Sequence, residues 1–454
     1  MHETESQQDL MPPPPVGRQT YAIFRNADFT RYLITRFIAA LGMQMLVTAL
    51  DWELYKRTHS GLALGFVGLS LMLPMILCTL PAGQIADRFN RKKIILGSTL
   101  VLAFASLGLT LTSAFIALNQ NIATFQLFAY SMLVVIGMAR TFLWPASAAF
   151  VTALVSREEL PRAVTFNSGA FQLSCVLGPS VAGVIIWLTH GAWLVYAFNV
   201  VAGLVCIALV AGIRHEHKIP PHEPVSLKSL ITGFHFVYQN KIILGTITLD
   251  MFAVLLGGAV TLLPIFADGI IPLHNGAEGV GLGLLRAAIP VGAILCVFVI
   301  AHRPPLQKAG RTMLLCVAIF GAATILFGLA NRQCLGSFFP AMDGAWFWVA
   351  FGLMALCGAV DNVSVVVRQT LVQILTPDDK RGRVSAVNSL FIGTSNELGG
   401  FESGVTQHLF GPVMGNTMAT GAILSTVVGG FGTLVVVLVV AWLWPEIRRY
   451  GKLA

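Results

Sequence analysis

Twelve stretches of about twenty or more mostly apolar residues run through this 454-residue chain, and they limit what it can become more than any other feature. They lie near 31–54, 62–85, 94–115, 123–144, 163–188 and 192–213, and again near 242–267, 281–301, 312–331, 345–370, 384–409 and 417–443. A helix needs about 20 apolar residues to cross a bilayer core about 30 Å thick. In that medium each backbone N–H and C=O must be paired within its own segment, so such stretches fold as helices. Composition agrees: 11% of the residues are charged, against about 25% in soluble domains. The expected fold is an all-α membrane protein, with twelve transmembrane helices in two pseudo-symmetric six-helix halves.

Most connections are short. The exception is 214–240, which is polar and holds Pro220, Pro221 and Pro224. The expected organisation is therefore a disordered tail at 1–28, an N-terminal half at 29–213, a linker at 214–240, a C-terminal half at 241–444 and a tail at 445–454. Residues 1–28 lack the basic start and short apolar core of a signal peptide, and include Pro12 to Pro15. Twenty-two Lys and Arg fall on the side of the termini; only Lys56, Arg57 and Arg332 fall on the other. Basic loops stay in the cytoplasm, so both termini, the linker and both tails are expected there, with the chain in the cell inner membrane.

The halves repeat. A shift of 221 residues lays Arg162 on Arg383, Asn167-Ser168 on Asn388-Ser389, Ser174 on Ser395, Gly178 on Gly399 and Gly183 on Gly404. Repeated halves recur among secondary transporters, with substrate sites where the repeats meet.

Other readings find little support. The net charge of +8 is scattered over short loops, so no nucleic-acid partner is expected. Six of the seven cysteines lie in apolar runs, with no C-x-x-C pair, and His215, His217 and His222 have no partner cysteines. No metal or cofactor is expected. The chain has no H-E-x-x-H, G-x-S-x-G or P-loop motif, so it does not read as an enzyme.

Ten ionisable residues fall within or at the edges of the spans: Arg36, Asp51, Glu53, Arg140, Asp250, Arg286, Asp361, Arg368, Glu397 and Glu402. A charge at mid-bilayer costs at least about 2.5–3.5 kcal/mol, so each should face water or a partner. Their restriction to spans 1, 4, 7, 8, 10 and 11 predicts that these line a cavity. Asp51, Arg140, Asp250, Asp361, Glu397 and Glu402 are the candidate proton and substrate residues. Arg36, Glu53 and Arg368 lie near span ends, where snorkelling explains them. Asp361 and Arg368 are seven apart, on one helix face, and are expected to pair. Arg140 and Asp361 correspond under the 221 shift with opposite signs, which suggests a coupled site between halves. Asp51 and Glu53 are close enough in sequence to resist joint ionisation. The expected proton carriers, in order, are Asp51, Asp361 and Glu397, with Arg140 as counter-charge.

Between spans 2 and 3 stands Gly83-Gln-Ile-Ala-Asp87-Arg88-Phe-Asn90-Arg91-Lys92-Lys93. It resembles the loop signature of the major facilitator superfamily, G-x-x-x-D-R-x-G-R-R/K-R/K, with Asn90 where the family usually has Gly. Asn tolerates a left-handed turn better than other side chains do. The resemblance implies a gating loop of Gly83, Asp87, Arg88 and Arg91, with Asp87 near the partner half. Gly178-Pro179-x-x-x-Gly183 is similar to the antiporter signature of drug exporters and is also a helix-packing motif. Val367 to Gln373, Thr376 to Val384 and Ser395 to Gly404 look like the enterobactin-exporter-like branch, also described as transmembrane secretion effectors. Over about 25–450, the resemblance implies proton-driven efflux; a small organic molecule, siderophore- or drug-like, is the expected cargo, and a monomer is expected. A lipid or lysophospholipid flippase on the same fold is the alternative.

Overall fold

The computed structural model describes residues 22–114, 121–214, 227–273, 277–302, 307–342 and 345–451. The first six long helices are α1 (Ala27–Thr58), α2 (Gly61–Arg88), α3 (Arg91–Ala114), α4 (Ile122–Leu154), α5 (Leu160–Thr189) and α6 (Trp193–Ala211). The second six are α7 (Lys241–Leu256), α8 (Glu278–Ala301), α9 (Ala309–Leu329), α10 (Trp346–Leu375), α11 (Asp378–His408) and α12 (Met418–Leu443). Polar residues at the span edges start several of them. Asn26 accepts from the Asp28 and Phe29 amides, Ser60 from Ala63, Asn121 from Ala123 and Thr124, and Thr417 from Thr420. Each such cap is worth about 1 kcal/mol.

Eleven of these helices are long and apolar enough to cross a membrane, α7 counting together with the turns that prolong it to Ile270. The twelfth, α11, is 31 residues long but rich in Ser, Gly, Asn and Glu. It tolerates that composition because it packs between α2 and α7. Large apolar side chains such as Leu127, Leu438 and Trp442 are more than two-thirds exposed on the outside; an apolar exterior of this kind requires lipid as its solvent.

Within the first half α1 packs on α5 and α6, α2 on α4, and α3 on α4 and α6. Within the second, α8 packs on α10, α9 on α10 and α12, and α7 on α11 and α12. The halves meet chiefly along α5 against α8 and α11 against α2, two crossings that exchange when six helices are added to each number.

Several boundaries differ from expectation. Helix α1 begins at Ala27, inside the expected tail, and residues 1–21 of that tail lie outside the described residues. The linker is not only a loop: Leu227–Gln239 form an amphipathic helix against α11, with Gly233 beside the Arg383 carbonyl and Val237 buried; 215–226 lie outside the described residues. The last tail holds a short helix, Pro445–Arg449, whose buried Ile447 packs on Gly245 and Gly310. Beyond Leu256, α7 breaks at Gly257-Gly258 and continues through a 3-10 turn and a π turn to Ile270.

Candidate inter-half transport site

Glycine brings the halves together on the side away from the termini. A Cβ on Gly404 would stand 2.6 Å from the Gly61 carbonyl oxygen, and one on Gly279 would stand 2.9 Å from the Gly183 oxygen. Real Cβ atoms do not approach backbone oxygens so closely. Gly283 similarly abuts Pro179, and Gly68 abuts the backbone of Glu397. Gly183 and Pro179 of the G-P-x-x-x-G segment thus sit at the α5–α8 crossing, whereas Gly178 packs inside its own half against Leu41 and Gln44 of α1. On the same side Lys56, at the end of α1, bridges Asp268 (2.6 Å) and Glu278 (2.5 Å) of the other half. Phe66 and Phe401 meet edge to face at 5.5 Å between α2 and α11. Toward the termini the α2–α11 contact reaches Met75 against Gly393; Gly83, Gly169 and Gly382 then face open space.

Between the halves lies a cavity of about 350 Å³. Its polar lining comes from Gln44 of α1, Gln172 and Cys175 of α5, Arg286 of α8, and Asp361 and Asn362 of α10. The Gln44 amide donates to Cys175 Sγ at 2.8 Å. Arg286 reaches across the interface and pairs with Asp51, both almost fully buried. Glu397 lies within electrostatic reach of Arg140 and Asp51. Each half therefore brings one acid and one base to the junction: Asp51 and Arg140 from the first, Arg286 and Glu397 from the second. Among the described residues no ion pair or hydrogen bond reaches the carboxylate of Asp361. Glu402 accepts from Ser403 Oγ at 3.5 Å.

Several pairings differ from the sequence expectation. Arg368 neither snorkels nor pairs with Asp361; it is buried and pairs with Asp250, tying α10 to α7 within one half. An i, i+7 spacing shares a face, but those side chains stand two turns, about 10 Å, apart. Glu53 does not snorkel either, since it is buried and accepts from Arg57, from Ser113 (2.8 Å) and from Tyr196 (2.9 Å). Two positions apart on a helix is about 200° of rotation. Glu53 thus points into its own half while Asp51 points across the junction. Arg36 stacks over Phe171 at 5.6 Å.

In the α2–α3 loop, Asn90 does not adopt the left-handed conformation. Its side chain accepts from the Lys92 and Lys93 amides and so caps α3. Arg91 donates to the Ala149 carbonyl (2.9 Å), and Lys92 to the Ala211 and Ile213 carbonyls (2.9 and 2.7 Å). The basic run therefore fastens the ends of α4 and α6 to its own half. Arg88 is exposed, and the side chain of Asp87 lies outside the described residues.

Among the described residues, only Asp361 of the six expected cavity residues lines this cavity, and α4 and α11 contribute no lining residue; Gln44, Gln172, Cys175 and Asn362 are uncharged and escape a search for charges, and α5 was not among the expected lining helices. The available signal was a polar amide standing alone inside an apolar run, as at Gln44 between Met43 and Met45.

Comparison with known proteins agrees with this architecture. Residues 32–400 match the family model of the Major Facilitator Superfamily, and the chain belongs to that family. The enterobactin exporter EntS of Shigella flexneri is 25% identical over 429 residues, covering 93% of each chain. The protein of that name from Citrobacter koseri is 26% identical over 430 residues, again covering 93% of each. Among solved structures, a D-xylose-proton symporter superposes with a TM-score of 0.69 at 14% identity, over 93% of this chain and 99% of that one. The nucleoside transporter NupG gives 0.66 at 11% identity, over 93% and 99%. At such identities the structures speak for the fold.

Proposed function

We propose that this member of the major facilitator superfamily is a proton-coupled exporter of a small organic molecule, working by alternating access from the cell inner membrane with both termini cytoplasmic. The observation that carries the reading is the junction itself. Opposite charges from the two halves meet beside a polar cavity, while glycine crossings and the Lys56 bridges close the side away from the termini. With basic loops inside, the closed side is external and the cavity is reached from the cytoplasm, which suits loading of an exported cargo. The halves must part at these contacts to release it, and a second conformation competes for the same side chains.

Asp51, Asp361 and Glu397 are the proposed proton carriers, with Arg140 opposite Glu397. Asp250 belongs to a pair within one half, which favours a structural role for it. Gly83, Asp87, Arg88 and Arg91 are the proposed gating loop, with Arg91 anchoring it. Because the relatives are named enterobactin exporters, enterobactin is the first cargo to test.

The experiment uses inverted vesicles with an imposed pH gradient and follows enterobactin uptake. Collapse of the gradient is expected to stop accumulation. Asp51→Asn, Asp361→Asn and Glu397→Gln are measured separately, and an essential carrier loses accumulation while retaining cargo exchange. Accumulation that survives both the collapse and all three substitutions refutes proton coupling at these residues. For topology, Arg88→Cys is expected to resist an impermeant thiol reagent added to intact cells.

A further inference from the structure

The cavity's polar groups are unequally occupied, and that inequality carries information about the ligand. Arg286, the lining cation, is already paired with Asp51 from the other half. Cys175 already accepts from Gln44. Asp361 and Asn362, adjacent on α10, are different. No ion pair or hydrogen bond reaches the Asp361 carboxylate among the described residues, and Asn362 Oδ1 is buried with no hydrogen-bond partner. The Asp361 carboxylate only accepts, Asn362 carries a donor amide beside its orphaned Oδ1, and both residues line the cavity. A buried acceptor without a donor costs about 1–3 kcal/mol, more when charged. A transport cavity that carries two such acceptors side by side is complementary to a molecule that brings donors.

Resting on the transport reading above, the geometry points to Asp361 and Asn362 as the specificity-determining pair of the cavity, selecting cargo by paired hydrogen-bond donors, either N–H groups of a cationic amine or amidine or the O–H groups of a catechol. Acceptor-only anions are disfavoured because they meet the Asp361 carboxylate with no unpaired cation among the described lining residues, and because they leave Asn362 Oδ1 without a donor even where its amide nitrogen donates to them. Gln44 and Gln172 face this pair from the first half, and their amides offer both donors and acceptors, so they tolerate a range of cargo bodies. The selection therefore sits on α10.

The test compares three molecules with the same ring and different head groups: benzamidine, catechol and benzoate. Each is added to the full-length protein in lipid nanodiscs, and the rate of Cys175 alkylation by N-ethylmaleimide is read by peptide mass spectrometry. Cys175 lines the cavity, so an occupant slows its modification. Benzamidine, catechol or both are expected to protect at concentrations at least tenfold lower than benzoate, and whichever protects identifies the donor type. Asp361→Asn is expected to erase that tenfold preference, Asn362→Ala to reduce it several-fold, and Asp361→Glu to preserve it, which separates lost chemistry from a damaged fold. Equal protection by benzoate, no protection by any of the three, or a preference unchanged in Asp361→Asn overturns the assignment. Failure of the export reading looks different: donor-selective protection without gradient-driven efflux leaves this pair standing and removes that reading.

Discussion

Replacing Asp51 by Asn tests whether the junction is a conformational latch. The Asp51–Arg286 pair is buried, with 6% and 11% of the side chains exposed, and joins α1 to α8 across the two halves. Removing one partner of a buried pair typically costs about 3–5 kcal/mol, because the other charge is stranded. Here the loss falls on the conformation that holds the halves together. Once they part, both groups meet water, where an ion pair is worth about 0–1 kcal/mol. The difference, roughly 2–5 kcal/mol, corresponds to about 30- to 4,000-fold in the balance between the two conformations at 1.4 kcal/mol per factor of ten. Spin labels at Ile122→Cys and Phe338→Cys, both exposed on the side away from the termini, report the opening by double electron–electron resonance once the seven native cysteines are replaced. The wild type is expected to give mainly the short distance, and Asp51→Asn mainly the long one. Adding Arg286→Gln removes the stranded charge and should restore part of the short population. An unchanged distance distribution in a well-expressed Asp51→Asn protein would falsify the latch.

Gly404→Val and Gly183→Val should each hold the halves apart and reduce transport at least tenfold at normal expression, because the added carbons collide with backbone oxygens of the other half; vesicle uptake measures it, and wild-type rates would show that the crossings need no close approach. Asn90→Gly should lower stability by only a few tenths of a kcal/mol and Asn90→Leu by about 1 kcal/mol, since Asn90 acts as a helix cap; thermal unfolding in detergent decides, and the reverse order refutes the cap. Arg368→Met should destabilise by about 3–5 kcal/mol, and the double variant with Asp250→Leu by clearly less, because the second change removes a stranded buried carboxylate; a double variant as unstable as the single one contradicts the pairing.

The spans, the two halves and their repeat were legible because the bilayer imposes a length and a polarity that no neighbour can override. Charge partners were not. Asp361 and Arg368 share a face, yet Arg368 takes Asp250 from α7, a choice set by helix packing rather than by position along α10. Asp51 and Glu53 are neighbours in sequence with opposite surroundings: Glu53 is held by Tyr196 and Ser113 of its own half, Asp51 by Arg286 of the other. Lys56 entered the sequence reading only as a basic residue on the side away from the termini, and Asp268 and Glu278 not at all; only the approach of two helix ends makes the three a bridge. Helix α11 was marked in the sequence as a mostly apolar stretch, but it is rich in Ser, Gly, Asn and Glu, and the reason it tolerates Glu397 and Glu402 lies in the helices around it.

Under the proposed alternating access, the two kinds of contact at the junction would do complementary work. Glycine crossings let the backbones approach closely, and around them large apolar side chains of both halves, such as Ile186, Leu282 and Leu285, share one buried cluster, whose exposure opposes opening at about 25 cal/mol per Å². The ion pairs add to that preference, and they exchange protein partners for water, so their share stays within a few kcal/mol. A gate sealed by exposed charges alone would be worth about 0–1 kcal/mol and would scarcely hold. Asp51–Arg286 lies above that limit: buried enough to favour closure, yet placed where separation of the halves brings it water.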